Sequence, residues 1–250
     1  MWPRSILITG ASRGIGLGLV KEFLARSEVE HVFAGVRDPN RAPNLASISD
    51  PRLKVIALDI LSDQSIEGAV EEISKVVGEK GLNVLVNNAA IMVQYHFHES
   101  PNRAKIDEVM RSNVTAPIIV THYFLPLLRK ALPRDANFLP SHAAIINIGS
   151  DYGSLTKCSV YGSGGELGHL PHKVSKAGLS QFSRVLSEDL KAEKLLVVTL
   201  HPGWVSTDMG TDAADISVGE SVGALASTIE LLNETHHGGF FDRNGEPLPL

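Results

Sequence analysis

The sequence predicts an α/β protein built on a doubly wound parallel sheet, and three observations support this fold class. Short apolar runs alternate along the chain with longer segments of helical periodicity. Most of the apolar runs are continuous, which is typical of strands covered by helices on both faces. The chain has 250 residues, which is ample for one such domain and short for two. We therefore expect a single domain over residues 1–250.

The first half of the chain is predicted to form repeated strand–helix units with right-handed crossovers. The predicted strands of this half are residues 5–10, 31–36, 54–60 and 82–90. The predicted helices are residues 14–27 and 62–81. The second helix has Ser62 as a candidate N-cap, and Gly81 lies just past its end.

The second half continues the alternation with a longer helical stretch. This stretch begins near Pro101, a favourable first-turn residue, and extends to about Leu128 with a kink near Pro117. The predicted strands of this half are residues 143–150, 195–204 and 238–242. The remaining predicted helices are the one opened by HKVSK (172–176) and residues 221–233.

Polar and glycine residues follow the predicted strands at the points where they end. In doubly wound sheets, ligands bind at the carboxyl ends of the strands. The residues found there are Gly10, Arg37, Asp59, Asn87, Ser150 and Pro202. The sequence therefore predicts a ligand site at this edge of the sheet, and the residues must supply the function.

Composition excludes several classes of protein. The net charge is −5, whereas nucleic-acid binding needs an excess of clustered Lys and Arg. The lone cysteine, Cys158, cannot form an internal disulfide, so no disulfide framework indicates secretion. No apolar run approaches the ~20 residues of a membrane span, and the N-terminus lacks a signal-peptide pattern. We expect a cytoplasmic protein that binds neither nucleic acid nor membrane.

The segment TGASRGIG (9–16) joins the first predicted strand to the first predicted helix. Gly10 allows the chain to turn with positive φ, and Gly14 and Gly16 remove side chains where a ligand must approach closely. The N–H groups at the start of the helix are suited to a pyrophosphate. This position in the first strand–helix unit favours a dinucleotide site over a glycine-rich turn without a ligand.

Two arginines bear on the choice between NAD and NADP. An acidic residue at the end of the second strand favours NAD, but here Arg37 comes first and Asp38 follows it. Arg13 in the glycine-rich segment adds a second cation, and two guanidinium groups can pair with a phosphate dianion. The joint placement of these arginines favours NADP(H) over a reading as two surface residues.

Four motifs in one order resemble the short-chain dehydrogenase/reductase family over nearly the whole chain. They are TGASRGIG (9–16), NNAA (87–90), NIGS (147–150) and PGWVSTDM (202–209). The forms LNVLVNNA, AAIINIGS and HPGWVSTDMG are most similar to the sniffer-like carbonyl reductases of that family, with C-factor proteins nearby.

The resemblance implies a Rossmann fold that binds NADP(H), a small carbonyl substrate and a homodimer paired through the helices containing 101–128 and 172–193. It implies that Ser12, Arg13 and Ile15 lie near the cofactor, in the loop formed by Gly10, Gly14 and Gly16. It implies further cofactor contacts at Asp59, Ile60, Asn87, Ala89, Lys176, Pro202, Gly203, Trp204, Val205 and Thr207, in addition to Arg37, which we infer from its place after the second strand.

The same resemblance implies a catalytic set. Asn113 matches the family asparagine of a proton-relay chain, and Ser150 matches the serine that binds the substrate oxygen. Lys176 matches the lysine that binds the nicotinamide ribose and lowers the pKa of its partner. In such a reaction the cofactor carries the hydride, while the protein supplies orientation and a proton.

The sequence departs from the family at the residue four positions before this lysine. The family has a tyrosine there, and this chain has His172. In one interpretation His172 is the proton donor, with an ordinary imidazole pKa of ~6.5 against ~10 for the phenol. Lys176 disfavours the imidazolium, however, and the ring is shorter than a phenol by ~2 Å, a gap that a water could bridge.

Two other interpretations remain. Tyr152 or Tyr161 from the intervening loop could reach the site, or the chain could bind NADP(H) without reductase activity, as a regulatory or interaction protein. Because Ser150, Asn113 and Lys176 are all present, we favour an NADP(H)-dependent carbonyl reductase of weakened or altered activity. The histidines at 96–98 and 236–237 lack other ligands at recognisable spacing, so we expect them to face solvent and expect no metal site.

Overall fold

In the computed structural model, which describes residues 2–158 and 168–250, seven parallel strands form one sheet. The strands are β1 (Ser5–Thr9), β2 (His31–Val36), β3 (Leu53–Ala57), β4 (Val84–Asn87), β5 (Ala144–Ile148), β6 (Leu196–His201) and β7 (Phe240–Asp242). Their order in the sheet is β3-β2-β1-β4-β5-β6-β7. The chain reverses its direction of winding between β1 and β4, so a crevice opens at their carboxyl ends. The predicted doubly wound parallel sheet is confirmed.

Helices cover both faces of this sheet. They are α1 (Gly14–Leu24), α2 (Pro43–Ala46), α3 (Asp63–Val77), α4 (Arg103–Met110), α5 (Ala116–Ala131), α6 (Leu170–Leu190) and α7 (Val218–Leu231). Successive side chains of a strand point to opposite faces. Ile6 of β1 therefore packs in the core beneath α1 and α7, whereas Leu7 packs in the core beneath α3 and α5.

The predicted helix between Pro101 and Leu128 is interrupted, but not where the sequence predicts. The helix begins at Arg103, and Arg111–Thr115 forms a π-helical turn between α4 and α5. Pro117 lies in the first turn of α5, where its missing N–H leaves the carbonyl four residues earlier without its usual donor. The wider turn therefore forms before the proline and includes Asn113.

The predicted helix over 62–81 begins as expected and ends early. The Ser62 hydroxyl accepts a hydrogen bond from the backbone N–H of Ser65, which confirms the N-cap. The α-helix ends at Val77 because Gly78 takes a φ of 56°, and a short 3₁₀ turn then continues to Lys80. Gly81 therefore follows this extra turn.

Short elements escaped prediction because they carry almost no periodic signal. The helix α2 has four residues and buries only Leu45. Among the described residues, no helix is both long enough and apolar enough to cross a bilayer.

Candidate active site

A cavity of about 610 Å³ opens at the carboxyl ends of the strands, above the point where the winding reverses. This volume lies within the usual range for small-molecule and cofactor sites, ~300–1,000 Å³. Its walls come from the β1–α1 turn, the ends of β2 and β4, the β5 end, the start of α6 and the segment after β6. These segments are far apart in sequence and meet because parallel strands end at one edge.

The β1–α1 turn forms one wall through close backbone packing. Gly10 has a φ of 67°, and a Cβ atom there would lie 2.8 Å from the Cα of Ala89. At Gly16 a Cβ atom would lie 2.5 Å from the carbonyl oxygen of Gly10. Glycine is therefore required at both positions, which keeps the turn tight and the start of α1 close to the sheet.

The first turn of α1 presents backbone N–H groups to the cavity. Arg13 occupies the N-cap position with extended φ and ψ, and its side chain makes no capping bond to any described residue. Ser12, Gly14 and Ile15 line the cavity beside it. Unpaired N–H groups at a helix N-terminus bind anions such as phosphate. This wall is therefore suited to the diphosphate of a dinucleotide.

The cationic and acidic residues predicted at the strand ends lie at one end of the cavity. Arg37, Asp59 and Ile60, which the sequence proposes as cofactor contacts, all line it. Asp38 is not among the described lining residues, since its carboxylate accepts from the Asn40 N–H and caps a 3₁₀ turn. The Arg37 guanidinium therefore lines this end of the cavity, whereas the Asp38 carboxylate caps the adjacent 3₁₀ turn.

The end of β4 is tied to the end of β1 through Asn88, which sequence reasoning did not single out. Its side-chain amide donates to the Thr9 carbonyl at 2.8 Å, and its backbone N–H donates to the Thr9 hydroxyl at 3.0 Å. The Thr9 hydroxyl also accepts from the N–H of Ala89, an expected cofactor contact that lines the cavity. Asn88 therefore fixes the spacing between the strands that flank the crevice.

Asn87 was predicted to lie along the cofactor, but the structure directs it into the protein. The residue is 4 % exposed, and its amide donates to the Thr121 hydroxyl at 3.0 Å and to the Asn147 carbonyl oxygen at 2.8 Å. Asn87 is missing from the cavity lining formed by residues 2–158 and 168–250. It supports the floor of the site through the buried amide of Asn147, which donates in turn to Ser183.

Three of the predicted catalytic residues, Ser150, His172 and Lys176, line the same cavity. Ser150 follows β5, and its hydroxyl oxygen accepts from the Tyr152 N–H at 3.2 Å. His172 and Lys176 lie one turn apart on α6, which places both side chains on one face of the helix. Helical spacing alone predicted that the two α6 residues are neighbours, and the structure places Ser150, expected from the resemblance, in the same cavity.

The fourth predicted catalytic residue, Asn113, is buried and acts on the chain after β4. Its side-chain oxygen accepts from the Ile91 N–H, and its amide donates to the Ile91 carbonyl, both at 2.9 Å. The same amide donates to the Ser175 hydroxyl at 3.0 Å. The Ile91 carbonyl also lies 3.4 Å from Nδ1 of His172. Asn113 therefore holds the backbone that contacts His172.

Burial lowers the pKa of both α6 residues, His172 and Lys176. His172 is 6 % exposed, and burial together with the charge of Lys176 lowers its pKa from 6.5 to about 3. Burial lowers the pKa of Lys176 from 10.5 to about 8, while its Nζ donates to the Ile148 carbonyl at 2.8 Å. His172 is therefore neutral at pH 7, and Lys176 is mostly protonated there.

A second imidazole, His201, lines the cavity from the end of β6 and was missed. Its Nδ1 accepts from the Asp151 backbone N–H at 3.4 Å, and its Nε2 lies 3.5 Å from the carboxylate of the same residue. Burial lowers the pKa of His201 more than Asp151 raises it. The HPG sequence offered a signal, since His201 directly precedes the predicted motif.

The segment after β6 closes one side of the cavity. Four of the residues expected to contact the cofactor line it, namely Pro202, Gly203, Val205 and Thr207. Trp204 is half-exposed, and its indole N–H donates to the Gly210 carbonyl at 2.7 Å. Trp204 does not contribute to the lining made by the described residues. It braces the segment from outside.

Of the two loop tyrosines, only Tyr152 belongs to the described residues, and it does not line the cavity. Tyr152 packs against Lys173, whose Nζ lies 4.9 Å from the ring centroid, and its ring centroid is 5.8 Å from that of His169. Burial raises the pKa of the Tyr152 phenol. Tyr152 is absent from the cavity lining formed by the described residues. Tyr161, the other predicted candidate, lies outside the described residues.

The loop segments 91–98, 151–158 and 168–171 contribute little to the cavity lining. From 91–98 only Ile91 lines the cavity, and within 151–158 and 168–171 no described residue does. The described residues contain no group of three or more His, Cys, Asp or Glu side chains arranged for a metal ion. His237 was expected to face solvent but is half-buried, with ring nitrogens bonded to the Ser187 carbonyl and the Val197 N–H.

Comparisons with known proteins agree with this architecture. Residues 4–216 match the family model described as short chain dehydrogenase. The chain is 31% identical over 262 residues to the uncharacterized oxidoreductase C663.09c of Schizosaccharomyces pombe, covering 97% of this chain and 96% of that protein.

Solved structures extend the likeness to the whole chain. The carbonyl reductase Sniffer of D. melanogaster is 33% identical with a TM-score of 0.93, over 99% of this chain and 100% of that one. The NADPH-bound carbonyl reductase from chicken fatty liver is 35% identical with a TM-score of 0.93, over 100% and 95% of the two chains. The chain belongs to the short-chain dehydrogenase family of oxidoreductases.

Proposed function

We propose that this protein is an NADP(H)-dependent carbonyl reductase that acts on a small aldehyde, ketone or quinone, with weakened or altered activity. One observation carries the proposal. The unpaired N–H groups that open α1 share a single cavity with Ser150, His172 and Lys176. A dinucleotide anchored at the first wall would reach the second, because both belong to the same continuous space.

The residues present fit NADP(H). The glycines of the β1–α1 turn leave room for a diphosphate against the start of α1. Arg13 and Arg37 both line the cavity and supply two guanidinium groups for a ribose phosphate. The chicken reductase that shares this fold is NADPH-bound, which supports the same choice here. Thr207 and Val205 line the region proposed for the nicotinamide.

When bound, the cofactor supplies a hydride to the substrate carbon. The residues of the chain orient the carbonyl and manage its charge. The Ser150 hydroxyl can donate a hydrogen bond to the carbonyl oxygen, and the ammonium of Lys176 stabilises negative charge that develops there. Asn113 keeps the Ile91 backbone, and through it His172, in a fixed position.

His172 is the reason that we propose altered activity. It stands four residues before Lys176, where the family sequence has a tyrosine that donates a proton. With a pKa of about 3, His172 is almost never protonated at neutral pH. General acid catalysis is most effective when the pKa of the acid lies near the working pH. The proposed site therefore keeps Ser150 and Lys176 to bind the substrate oxygen but lacks the tyrosine that serves as the acid in the family.

The test is an NADPH-consumption assay with a panel of quinones, aldehydes and ketones. We expect slow but measurable turnover by the wild-type protein and faster turnover by His172→Tyr. Turnover by the variant alone would favour the alternative, a catalytically silent NADP(H)-binding protein. No turnover by either protein would count against the assigned reaction.

The neutral imidazole of His172 also favours the alternative, a catalytically silent protein. This alternative still requires the NADP(H) site. A binding measurement separates it from an interaction protein that does not use the cofactor. We expect NADPH to change the intrinsic fluorescence of Trp204, which borders the segment that closes the cavity. Trp2 is the other tryptophan and packs on Phe23, so Trp2→Phe isolates the signal. Unchanged fluorescence and no calorimetric heat would contradict both functions.

A further inference from the structure

We propose that Lys176, rather than His172, donates the proton to the substrate oxygen, because the structure holds His172 as the tautomer with no proton facing the cavity. This inference rests on the proposed carbonyl reduction. Lys176 then has a catalytic role of its own, and His172 is a positioning residue that accepts a hydrogen bond.

The contact between His172 and Ile91 fixes the tautomer. Nδ1 of His172 lies 3.4 Å from the Ile91 carbonyl oxygen. A carbonyl oxygen can only accept, so Nδ1 must carry the proton. In a neutral imidazole the other nitrogen is then an acceptor without hydrogen. Nε2 of His172 therefore has a lone pair to offer and no proton to donate.

The carbonyl that fixes this tautomer is itself held in place. Asn113 contacts both polar backbone atoms of Ile91, at 2.9 Å each, and is 1 % exposed. Asn113 also bonds to Ser175, whose hydroxyl donates to the His172 carbonyl at 2.8 Å. The ring and the carbonyl thus belong to one buried network that includes α6 itself. A ring flip would lose the Nδ1 bond.

The neutral imidazole of His201, which also lines the cavity, directs its N–H to Asp151. Nδ1 of His201 accepts from the Asp151 N–H, so in the neutral ring the proton resides on Nε2. That nitrogen lies 3.5 Å from the Asp151 carboxylate. His201 is therefore directed to Asp151 and does not offer the cavity a free N–H.

Lys176 has protons in excess of its partners. An ammonium carries three N–H donors. Nζ of Lys176 donates to the Ile148 carbonyl at 2.8 Å, and within residues 2–158 and 168–250 it makes no other hydrogen bond. The side chain is 5 % exposed and lines the cavity, and Ile148 lies two residues before Ser150. Burial also brings its pKa to about 8, close to a physiological working pH.

The transfer balances as follows. As the carbonyl carbon gains a hydride, the electron pair of the C=O π bond moves to the oxygen. One N–H bond of the Lys176 ammonium breaks, and that proton forms the O–H bond of the alcohol, directly or through the Ser150 hydroxyl. The neutral amine regains a proton from water. Positive charge left on the oxidised nicotinamide favours loss of the ammonium proton.

Imidazole ¹⁵N NMR on histidine-labelled protein tests the tautomer without any turnover. His172→Asn identifies the resonances by their loss, in the free protein and with NADP⁺ bound. We expect Nδ1 to be protonated, Nε2 to be unprotonated, and neither signal to titrate between pH 6 and 9 apart from a small step as Lys176 deprotonates. Protonated Nε2, or titration of the ring near pH 6–7, would overturn the proposal. The charged and titratable groups acting on the ring are Lys176 and His169.

The pH dependence of turnover tests the donor. We expect kcat for carbonyl reduction to be level below about pH 8 and to fall about tenfold per pH unit above it, as the acid is lost. His172→Asn retains a side-chain N–H for the Ile91 carbonyl. It should lower kcat by less than about tenfold and keep the same falling limb. A loss of ~10³-fold, or a limb near pH 6, would identify His172 as the donor instead.

Lys176→Arg supplies the matched control for charge. Arginine keeps a cation beside the cofactor but holds its proton too tightly to serve as an acid. We expect NADPH affinity to change by less than about fivefold while kcat falls by ~10²-fold or more. An Arg variant with near-normal kcat would overturn the proposal. If NADPH binds and no carbonyl is reduced by wild type or His172→Tyr, the proposed function and the donation step fail together, while the NMR result still decides the tautomer.

Discussion

The Arg13 guanidinium and the Asp208 carboxylate form an ion pair with an N–O distance of 2.7 Å at the rim of the cavity. The pair joins the β1–α1 turn to the segment after β6, 195 positions along the chain. Both side chains are more than two-thirds exposed, so the pair contributes little to folding, ~0.2–1 kcal/mol at most. Because both residues line the cavity, the pair also bears on cofactor binding.

Because Asp208 pairs with Arg13, we expect it to compete with a ribose phosphate for that guanidinium. We expect Asp208→Asn to tighten NADP⁺ binding by about two- to fivefold, the equivalent of a surface ion pair, and to leave NAD⁺ affinity unchanged. Fluorescence or calorimetric titration of both nucleotides measures the effect. Glu79→Gln, which removes an exposed pair with Lys130 remote from the cavity, is the control. Equal weakening of both nucleotides would show instead that the pair clamps the site shut.

The close packing at Gly16 makes a sharp steric prediction. A methyl group there would meet the Gly10 carbonyl oxygen and the Asn88 amide at 2.5 and 2.6 Å. Gly16→Ala must push α1 away from the β1–α1 turn, which we expect to destabilise the protein by about 1–3 kcal/mol. NADPH affinity should fall tenfold or more, because the N–H groups at the start of α1 shift. Urea unfolding and NADPH titration measure the two effects.

Gly68 is the matched control for that substitution. It lies within α3, and a Cβ atom there would meet no described atom within 4 Å apart from the local backbone of the helix. Gly68→Ala should stabilise the helix by about 0.5–1 kcal/mol and leave NADPH affinity unaltered. Equal behaviour of the two variants would contradict the role assigned to the packing at Gly16.

The buried imidazole of His172 should make the protein acid-sensitive. Its pKa is about 3 in the folded protein and 6.5 ordinarily, so the unfolded chain binds the extra proton between these values. Stability linked to His172 is therefore complete above about pH 6.5 and falls with pH below it, by about 2 kcal/mol at pH 5. Urea unfolding of wild type and His172→Asn at pH 7 and 5 measures this difference.

His172→Asn should lose less stability than wild type over that interval, by about the same 2 kcal/mol. The other histidines with lowered pKa values are present in both proteins, so most of their contribution cancels. Identical pH dependence of the two proteins would show that the ring is solvated or already charged.

The buried ammonium of Lys176 should lower stability at neutral pH. Its folded pKa of about 8 lies below the ordinary 10.5, so the unfolded chain holds the proton more tightly between these values. Stability therefore rises as pH increases from 8 to 10.5, and below pH 8 the burial costs up to about 3 kcal/mol. We expect Lys176→Met to raise the free energy of unfolding at pH 7 by about 1–3 kcal/mol while abolishing turnover. A less stable variant would mean that the Ile148 contact outweighs desolvation.

The fold and the cofactor wall follow largely from local sequence. Continuous apolar runs indicated buried parallel strands, and β2 coincides with its predicted range at His31–Val36. Gly10, Gly14 and Gly16 indicated the turn, because tight turns and close backbone approach select for glycine. The helical spacing of His172 and Lys176 placed both on one face of α6 without any tertiary information.

The sequence by itself thus determined the sheet, the order of its units and the edge at which a ligand binds, since strand and helix periodicity are short-range properties. Only the tertiary structure decided which hydrogen bonds the two cavity imidazoles, His172 and His201, make. The Ile91 carbonyl that sets the His172 tautomer is 81 positions away, and the Asp151 group that engages His201 is 50 positions away. The tertiary structure also directed Asn87 into the protein interior and Trp204 to the outside of the cavity. Hydrogen bonds and desolvation depend on which groups meet across the fold, and no local pattern encodes that meeting.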